Sequence, residues 1–350
     1  MTIYQHIVEY NSNDGIGNDI TGLSELFFHF KINNKIITLK NKFSGSNVNI
    51  IELDSKKYYY NNQDIHILHY GSAGYPLNNF LDLPGKKILR FHNLTPVFFY
   101  KNFCNENVYT IFEDSYKLSI IELKSLALDV DEIWYDSQFN KNTLHSIFSL
   151  TNQNQKEFIY PIFRNYTKII RNNFEVNFNL LYTGRIVPHK KIEDILFILY
   201  FLKKISNNYQ LFIVGKLSRE FSIYFQYLIK IIAELKLEKN IHWKLDTNED
   251  ELITLRNTTA FYISMSEHEG FGIPILESFA QGIIVIAYDS TAVGETMRSG
   301  GIRIHEKKFE YIAEIIHFIN LNPNLKRKIC KNQYSELEYY TNNYHKSDLI

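Results

Sequence analysis

From Ala260 to Gly282 the chain reads as a short apolar run ending at Ser264, a polar stretch closing in Glu-Gly-Phe-Gly, and an apolar-periodic segment opening at Pro274. An apolar run of that length is a buried strand. Apolar residues at helical spacing make a helix, and proline is at home in its first turn, where the missing N–H has no partner to lose. A strand feeding a helix through a glycine loop is the strongest constraint on the fold, because repeated units of this kind build a parallel sheet covered by helices. The loop also has a chemistry. Gly270 and Gly272 let a backbone approach a ligand, and amides at the positive end of a helix dipole favour an anion such as a phosphate. Glu277, one turn into the helix, is placed to accept hydrogen bonds from two neighbouring hydroxyls. A phosphate beside a vicinal diol is what a nucleotide sugar presents.

The same unit recurs along the chain. Strands are expected at 3–10, 35–40, 64–69, 86–91, 132–136 and 157–160, and then, after an irregular polar stretch to about Asn177, at 179–183, 209–215, 241–245, 260–264 and 283–288. Helices are expected at 19–30, 113–128, from 138, at 192–206, 221–237 and 249–256, with two more beyond Lys307. At 350 residues this makes two α/β domains of ordinary size, 1–165 and 178–330, followed by a terminal helix at 331–350. The 38 basic and 38 acidic residues cancel, so charge gives no reason to expect a nucleic-acid partner. Cys104 and Cys330 stand far apart, in no metal or redox spacing, which fits a reducing cytoplasm. The first ten residues alternate like a strand and lack the basic start and apolar stretch of a secretion signal. No run approaches the ~18 apolar residues of a membrane-spanning helix.

Three further stretches carry chemistry. The strand at 179–183 ends in Gly184-Arg185-Ile186-Val187-Pro188-His189-Lys190-Lys191. Arg185 and Lys190 therefore point from a strand end and a helix start at one spot, where fixed cations stabilise negative charge developing on a leaving diphosphate. Near the start, Asp14-Gly15-Ile16-Gly17-Asn18 forms a second glycine loop ahead of a helix that Asp19 would cap. The aromatic run Phe98–Phe103, with Lys101 inside it, fits either a lipid interface or packing within its own domain. Asp129-Val130-Asp131 has the spacing of a metal-holding acidic pair, but it lies between a helix and a strand, where acids solvate a turn.

Glu269 and Glu277, with Gly-Phe-Gly-Ile-Pro between them, resemble the paired-glutamate block of the retaining glycosyltransferases of family 4 (group 1). The 14–18 loop and His92-Asn93-Leu94-Thr95-Pro96 resemble a bacterial surface-polysaccharide subgroup of it, and the 184–190 block resembles its diphosphate clamp. The resemblance implies two facing Rossmann-like domains of GT-B type with parallel sheets and a deep cleft between them. The second domain would bind the donor, the first the acceptor, and the terminal helix can cross back to the first. It gives Glu269, Gly270, Phe271, Gly272 and Ile273 to the donor sugar, Glu277 to the ribose, Arg185 and Lys190 to the diphosphate, and places the loop of Gly15 and Gly17 near the donor phosphates and the acceptor. Glu295, in Ala292-Val293-Gly294-Glu295-Thr296, approaches the base or the sugar, and His92, at a first-domain strand end, lies beside the donor sugar. Lys191 stands where many relatives have glycine.

The implied activity is retaining sugar transfer with no metal or other cofactor. The donor is a GDP-, UDP- or dTDP-sugar and the acceptor a glycan or a polyprenyl-diphosphate-linked chain of O-antigen or capsule assembly, with peripheral contact at the cytoplasmic face of the inner membrane left open. Three readings compete with it: a single-domain metal-using transferase, a degenerate homologue that binds without turnover, and a nicotinamide-dependent oxidoreductase. The last lacks the full three-glycine fingerprint.

Overall fold

The computed structural model describes residues 1–11, 14–42, 50–53, 60–148, 155–245, 247 and 249–341. Contacts divide them into two units, 1–96 with 111–165, and 97–110 with 166–341. Residues 97–110, which the sequence places inside the first domain, thus join the second unit. The stretch 342–350, where the terminal helix would cross back, lies outside the described residues.

In the first unit β1 (Ile3–Tyr10), β2 (Asn34–Asn41), β3 (Ile50–Glu52), β4 (Ile65–Tyr70), β5 (Lys86–Phe91), β6 (Glu132–Tyr135) and β7 (Lys156–Ile159) form a sheet in the order β3-β2-β1-β4-β5-β6-β7. Every neighbouring pair is parallel. Both faces are covered, so the central strands are buried even where they carry polar residues, Gln5, His6, His66, His69 and Arg90 among them. Ile65, Ile67, Ile88 and Trp134 pack with Leu23 and Phe27 of α1 (Gly15–His29). Leu68, Tyr70, Leu89, Phe91, Ile133 and Tyr135, on the opposite face, pack with Leu123, Leu126 and Ala127 of α3 and Leu144 of α4; α2 is Leu77–Leu81, α3 Glu106–Asp129 and α4 Gln138–Ile147.

The helix α1 starts four residues earlier than expected. Asp14 caps it, accepting the Gly17 N–H at 2.7 Å, so Gly15 and Gly17 form the first helical turn and the Gly17 amide is already engaged. Asp19, the expected cap, is fully buried within the helix. The acidic pair at 129–131 holds turns: Asp129 accepts the Ser125 hydroxyl and Asp131 the Lys87 N–H.

One glycine fixes how closely α1 lies on the chain that leaves β7. A Cβ on Gly22 would stand 1.9 Å from the Phe163 carbonyl oxygen, a closeness maintained by the Phe163 N–H donating to Asp19 Oδ1 at 2.8 Å. Gly22→Ala, a change that stabilises an exposed helix, is therefore expected to destabilise this protein by about 1–3 kcal/mol, because the helix has to move. Calorimetric melting of the two proteins checks the sign.

In the second unit β8 (Asn179–Thr183), β9 (Gln210–Val214), β10 (Ile241–Lys244), β11 (Phe261–Ser264), β12 (Ile284–Tyr288) and β13 (Ile302–Ile304) follow the order β10-β9-β8-β11-β12-β13, again all parallel. Both sheets thus carry the doubly wound strand order, with its reversal between β1 and β4 in one and between β8 and β11 in the other. Ligands bind beyond the carboxyl ends of strands at such a reversal. The helices are α5 (Ile192–Ile205), α6 (Ser222–Glu234), α7 (Glu249–Asn257), α8 (Ile273–Ala280), α9 (Val293–Met297), α10 (Phe309–Asn320) and α11 (Pro323–Thr341). Of these, α5 packs on α10 and α8 on α11.

The aromatic run is largely spent on packing in this unit. Phe99 and Tyr100 lie against His189, Tyr100 also against Phe221, and Phe103 against Tyr224 and Tyr227, while Phe98 stays exposed. Among the described residues no helix is long and apolar enough to cross a membrane.

Candidate functional site

The carboxyl ends of β8 and β11 carry the second-unit candidates. Past β8, Arg185 sits in a short loop, its carbonyl accepting the buried Tyr182 hydroxyl at 3.0 Å, and Lys190 ends a 3₁₀ turn over Pro188–Lys190. Past β11 runs the loop to Gly272. The two segments are tied through their backbones: the Glu267 N–H donates to the His189 carbonyl at 2.8 Å, and the Ser266 hydroxyl lies 3.3 Å from the same oxygen. This cross-link brings Lys190 Nζ to 2.6 Å from Glu269 Oε1, both side chains partly exposed. Glu269 is itself held by Thr291, whose hydroxyl accepts its N–H at 2.9 Å and donates to its carbonyl at 3.0 Å. Arg185, Lys190 and Glu269 therefore share one strand-end neighbourhood. Burial, followed by the charges of Lys190 and Arg185, holds His189 well below the ordinary imidazole range, so it adds no charge to the cations beside it.

Lys191 follows in a left-handed backbone, φ +51°. This is the conformation for which glycine is the usual residue, and its side chain lies 3.6 Å from both Glu193 and Glu267, turned to structure and not to the Lys190–Glu269 pair.

Gly272 has φ +101° and enters α8 directly, with Ile273 as the first helical residue. The Phe271 ring is buried edge-on against Tyr340 and its carbonyl accepts the Thr296 hydroxyl, so what Phe271 offers a ligand is backbone. Glu277 pairs with Arg256, Nη2 to Oε2 at 2.5 Å. Glu295 lies in α9, which packs on α8, and its carbonyl accepts the Tyr340 hydroxyl at 3.2 Å. Arg256 and Thr291 were not legible as site residues, since neither belongs to a contiguous motif.

His92, Gly15 and Gly17 belong to the first unit. Side chains alternate across a strand, so Gln5, His69, Arg90 and, just past β6, Asp136 share the face that α1 covers, and Asp19 reaches them from α1. The Gln5 amide donates to Ser24 Oγ at 2.8 Å and Asn34 Oδ1 at 3.2 Å, which leaves its oxygen to accept from His69 Nε2 at 2.9 Å. His69 Nδ1 is then 3.0 Å from His92 Nε2, and His92 Nδ1 is 3.0 Å from Asp136 Oδ2. Both ring nitrogens of His92 thus have partners inside the unit.

Arg90, fully buried, grips Asp19 through Nε at 2.9 Å and Nη2 at 3.0 Å, and its Nη2 is 3.0 Å from Asp136 Oδ1. Burial, with His92 and Arg90 beside it, pushes His69 well below the ordinary imidazole range. Ligand atoms of Asp19, His69 and His92 lie within 4.8 Å of one another, a spacing open to a metal ion. In the structure Arg90 already supplies a cation to that carboxylate.

Residues 167–336 match the family model described as glycosyl transferases group 1. The GDP-mannose:cellobiosyl-diphosphopolyprenol alpha-mannosyltransferase of Xanthomonas oryzae pv. oryzae (strain PXO99A) is 29% identical over 145 residues, 41% of this chain and 37% of that protein. Its counterpart in Xanthomonas campestris is 27% identical over 41% of this chain and 38% of its own length, so the match spans little more than a third of either relative. Among solved structures, sucrose-phosphate synthase from Thermosynechococcus elongatus superposes with a TM-score of 0.74 at 14% identity, covering 98% of this chain and 95% of its own. WaaG, a glycosyltransferase involved in lipopolysaccharide biosynthesis, gives 0.62 at 13% identity over 97% and 95%. At such identities the likeness establishes the fold: α/β, with two parallel-sheet Rossmann-like units of the kind found in GT-B glycosyltransferases.

Proposed function

We propose, from the group 1 glycosyl transferase match over residues 167–336, that this chain moves a sugar from a nucleoside-diphosphate donor to an acceptor hydroxyl with retention of configuration, as a family 4 enzyme. The observation that carries the reading is the Lys190–Glu269 pair beside Arg185, at the carboxyl ends of the two strands flanking the sheet's reversal and just before α8. As the bond from the sugar's anomeric carbon to the phosphate oxygen breaks, its electron pair stays with the diphosphate. Arg185, Lys190 and the start of α8 stabilise that growing charge. The acceptor oxygen bonds to the anomeric carbon on the face the diphosphate leaves, and its proton passes to the departing phosphate oxygen, so the reaction needs neither a protein nucleophile nor a metal. Glu269 positions the sugar, Glu277 takes the ribose hydroxyls, and Glu295 lies toward the base or sugar. His92 is the first-unit candidate for the donor sugar, its ring oriented by His69 and Asp136.

Relatives named for GDP-mannose and a cellobiosyl-diphosphopolyprenol acceptor support a polyprenyl-diphosphate-linked acceptor here, and the proposal extends to bacterial surface-polysaccharide assembly on the cytoplasmic side. The buried free thiols Cys104 and Cys330 fit a reducing compartment.

The test is thermal melting with UDP, GDP, ADP and dTDP in turn, in EDTA, for the native protein and Glu277→Ala. A ligand at ~100 times its dissociation constant stabilises by roughly 2.7 kcal/mol, a rise of several degrees. One nucleotide is expected to shift the native protein and not the variant. A native protein moved by none of them would overturn the transferase reading in favour of a homologue that has lost donor binding.

A further inference from the structure

Arg256 has no place in the family motifs of the sequence, yet it is the charged partner of the carboxylate assigned to the ribose. It sits near the end of α7, and Glu277 one turn into α8, so the pair joins two helices across 21 residues of chain. Its side chain is 10% exposed and that of Glu277 13%, which removes most of the water that weakens a surface pair.

The turn that carries Arg256 is itself anchored. Arg171 donates from Nη2 to the Arg256 carbonyl and from Nη1 to the Thr259 carbonyl, each at 2.5 Å, and thereby clamps both ends of residues 256–259. The side-chain amides of Asn177 and Asn179 both donate to the Thr258 carbonyl between them, each at 2.9 Å. Arg171 is fixed in turn: its N–H donates to the Tyr334 hydroxyl at 3.2 Å, which donates to the Ile169 carbonyl at 2.7 Å. A rigid path therefore runs from the segment before β8, through the α7–β11 turn, to one oxygen of Glu277.

We infer that Arg256 is a positioning residue for the donor's ribose, a role that rests on the transferase reading above. A free glutamate side chain samples many rotamers, and ordering it against a vicinal diol costs up to ~2 kcal/mol. Arg256 orders the carboxylate, an acceptor for sugar hydroxyls, before the donor arrives. The chemistry being recognised is the cis-diol of a ribonucleoside diphosphate. Arg256 acts through Glu277, away from the reacting carbon, so its loss falls on donor binding and spares the step at saturation.

The experiment is titration calorimetry with the nucleoside diphosphate that stabilises the native protein, in its ribo and 2′-deoxy forms, alongside donor kinetics. Arg256→Met is expected to weaken the ribo form by about 10- to 100-fold, the strength of one hydrogen bond to a charged group. It should also erase most of the preference for ribo over deoxy, and raise the donor KM with kcat changed less than about threefold. Arg256→Lys, which keeps the charge without the planar fork, should fall between. If the native protein binds no nucleotide, the transferase reading fails first. If it binds, and Arg256→Met keeps both the affinity and the ribo-to-deoxy ratio, the positioning role is wrong while the reading stands. Should Arg256→Met not fold, the same ratio in Arg256→Lys decides: an unchanged preference overturns the proposal.

Discussion

Replacing Lys190 by alanine is expected to lower turnover at saturating donor by about 10²- to 10³-fold, the usual cost of removing one preorganised group that stabilises transition-state charge. Lys190 lies 2.6 Å from Glu269, so the substitution also strips that carboxylate of its partner, and the single variant cannot apportion the loss. A double-mutant cycle can. Glu269→Gln keeps the shape of the side chain and removes its charge; the double variant is expected to lose less than the product of the two single losses, with a coupling of roughly 1–3 kcal/mol for residues in contact. If Lys190 only held Glu269 in place, the double variant would match Glu269→Gln alone. If Lys190 also stabilises the leaving diphosphate, the double variant is slower than Glu269→Gln, and that is the expected result. Full kcat in Lys190→Ala with only a raised donor KM would assign the lysine to ground-state binding and remove it from the transition state.

How much of this was readable before the fold was known depends on the distance between partners. The blocks at 184–191 and 264–282 were legible because each is contiguous: a strand, a turn and a helix start lie within one stretch, and local geometry places their residues. The Lys190–Glu269 contact needed one more fact, that β8 and β11 are neighbours with the order reversing between them, and no sequence period states that. Arg256 was invisible because its partner is in another helix. The first-unit network was invisible for a related reason. Gln5, His69 and Arg90 each sit at an ordinary position of an ordinary strand and Asp136 just past the end of one, and only register brings them side by side, as with His69 and Arg90, which are direct partners in the β4–β5 pair. Two residues competed as caps for the first helix, and Asp14 took the position that Asp19 was expected to hold, because Asp19 is needed inside. The three-residue strands β3 and β13 are too short to show a period. The aromatic run at 98–103 has a composition that serves a lipid interface and a packed surface equally, and the difference lies in neighbours distant in sequence.

The buried network yields the largest expected effect on stability. Arg90→Leu is expected to destabilise the protein by about 3–5 kcal/mol, the cost of breaking a buried ion pair from one side. The arginine is fully buried and serves two carboxylates, Asp19 and Asp136; it also donates to the carbonyls of Tyr135 at 3.2 Å, Tyr160 at 2.7 Å and Pro161 at 3.3 Å. A leucine fills comparable space but satisfies none of them, so the gain in apolar burial cannot offset the charges left behind. Asp19→Asn should cost less, because the amide keeps the shape and an acceptor oxygen, and only one charge goes. For a domain of this size the Arg90 loss corresponds to a fall in melting temperature of roughly 6–20 °C. Two controls separate this from generic electrostatics. Lys117→Ala removes an exposed i,i+4 pair with Glu113, 2.8 Å long, and is expected to leave the melting temperature unchanged within error. Raising the salt to 1 M should leave the Arg90→Leu difference largely intact, since ions screen water-exposed charges and do not reach this one. An Arg90→Leu variant that melts within about two or three degrees of the native protein, well short of the fall expected for a broken buried pair, would mean that the arginine adds little to a cluster held by its other hydrogen bonds.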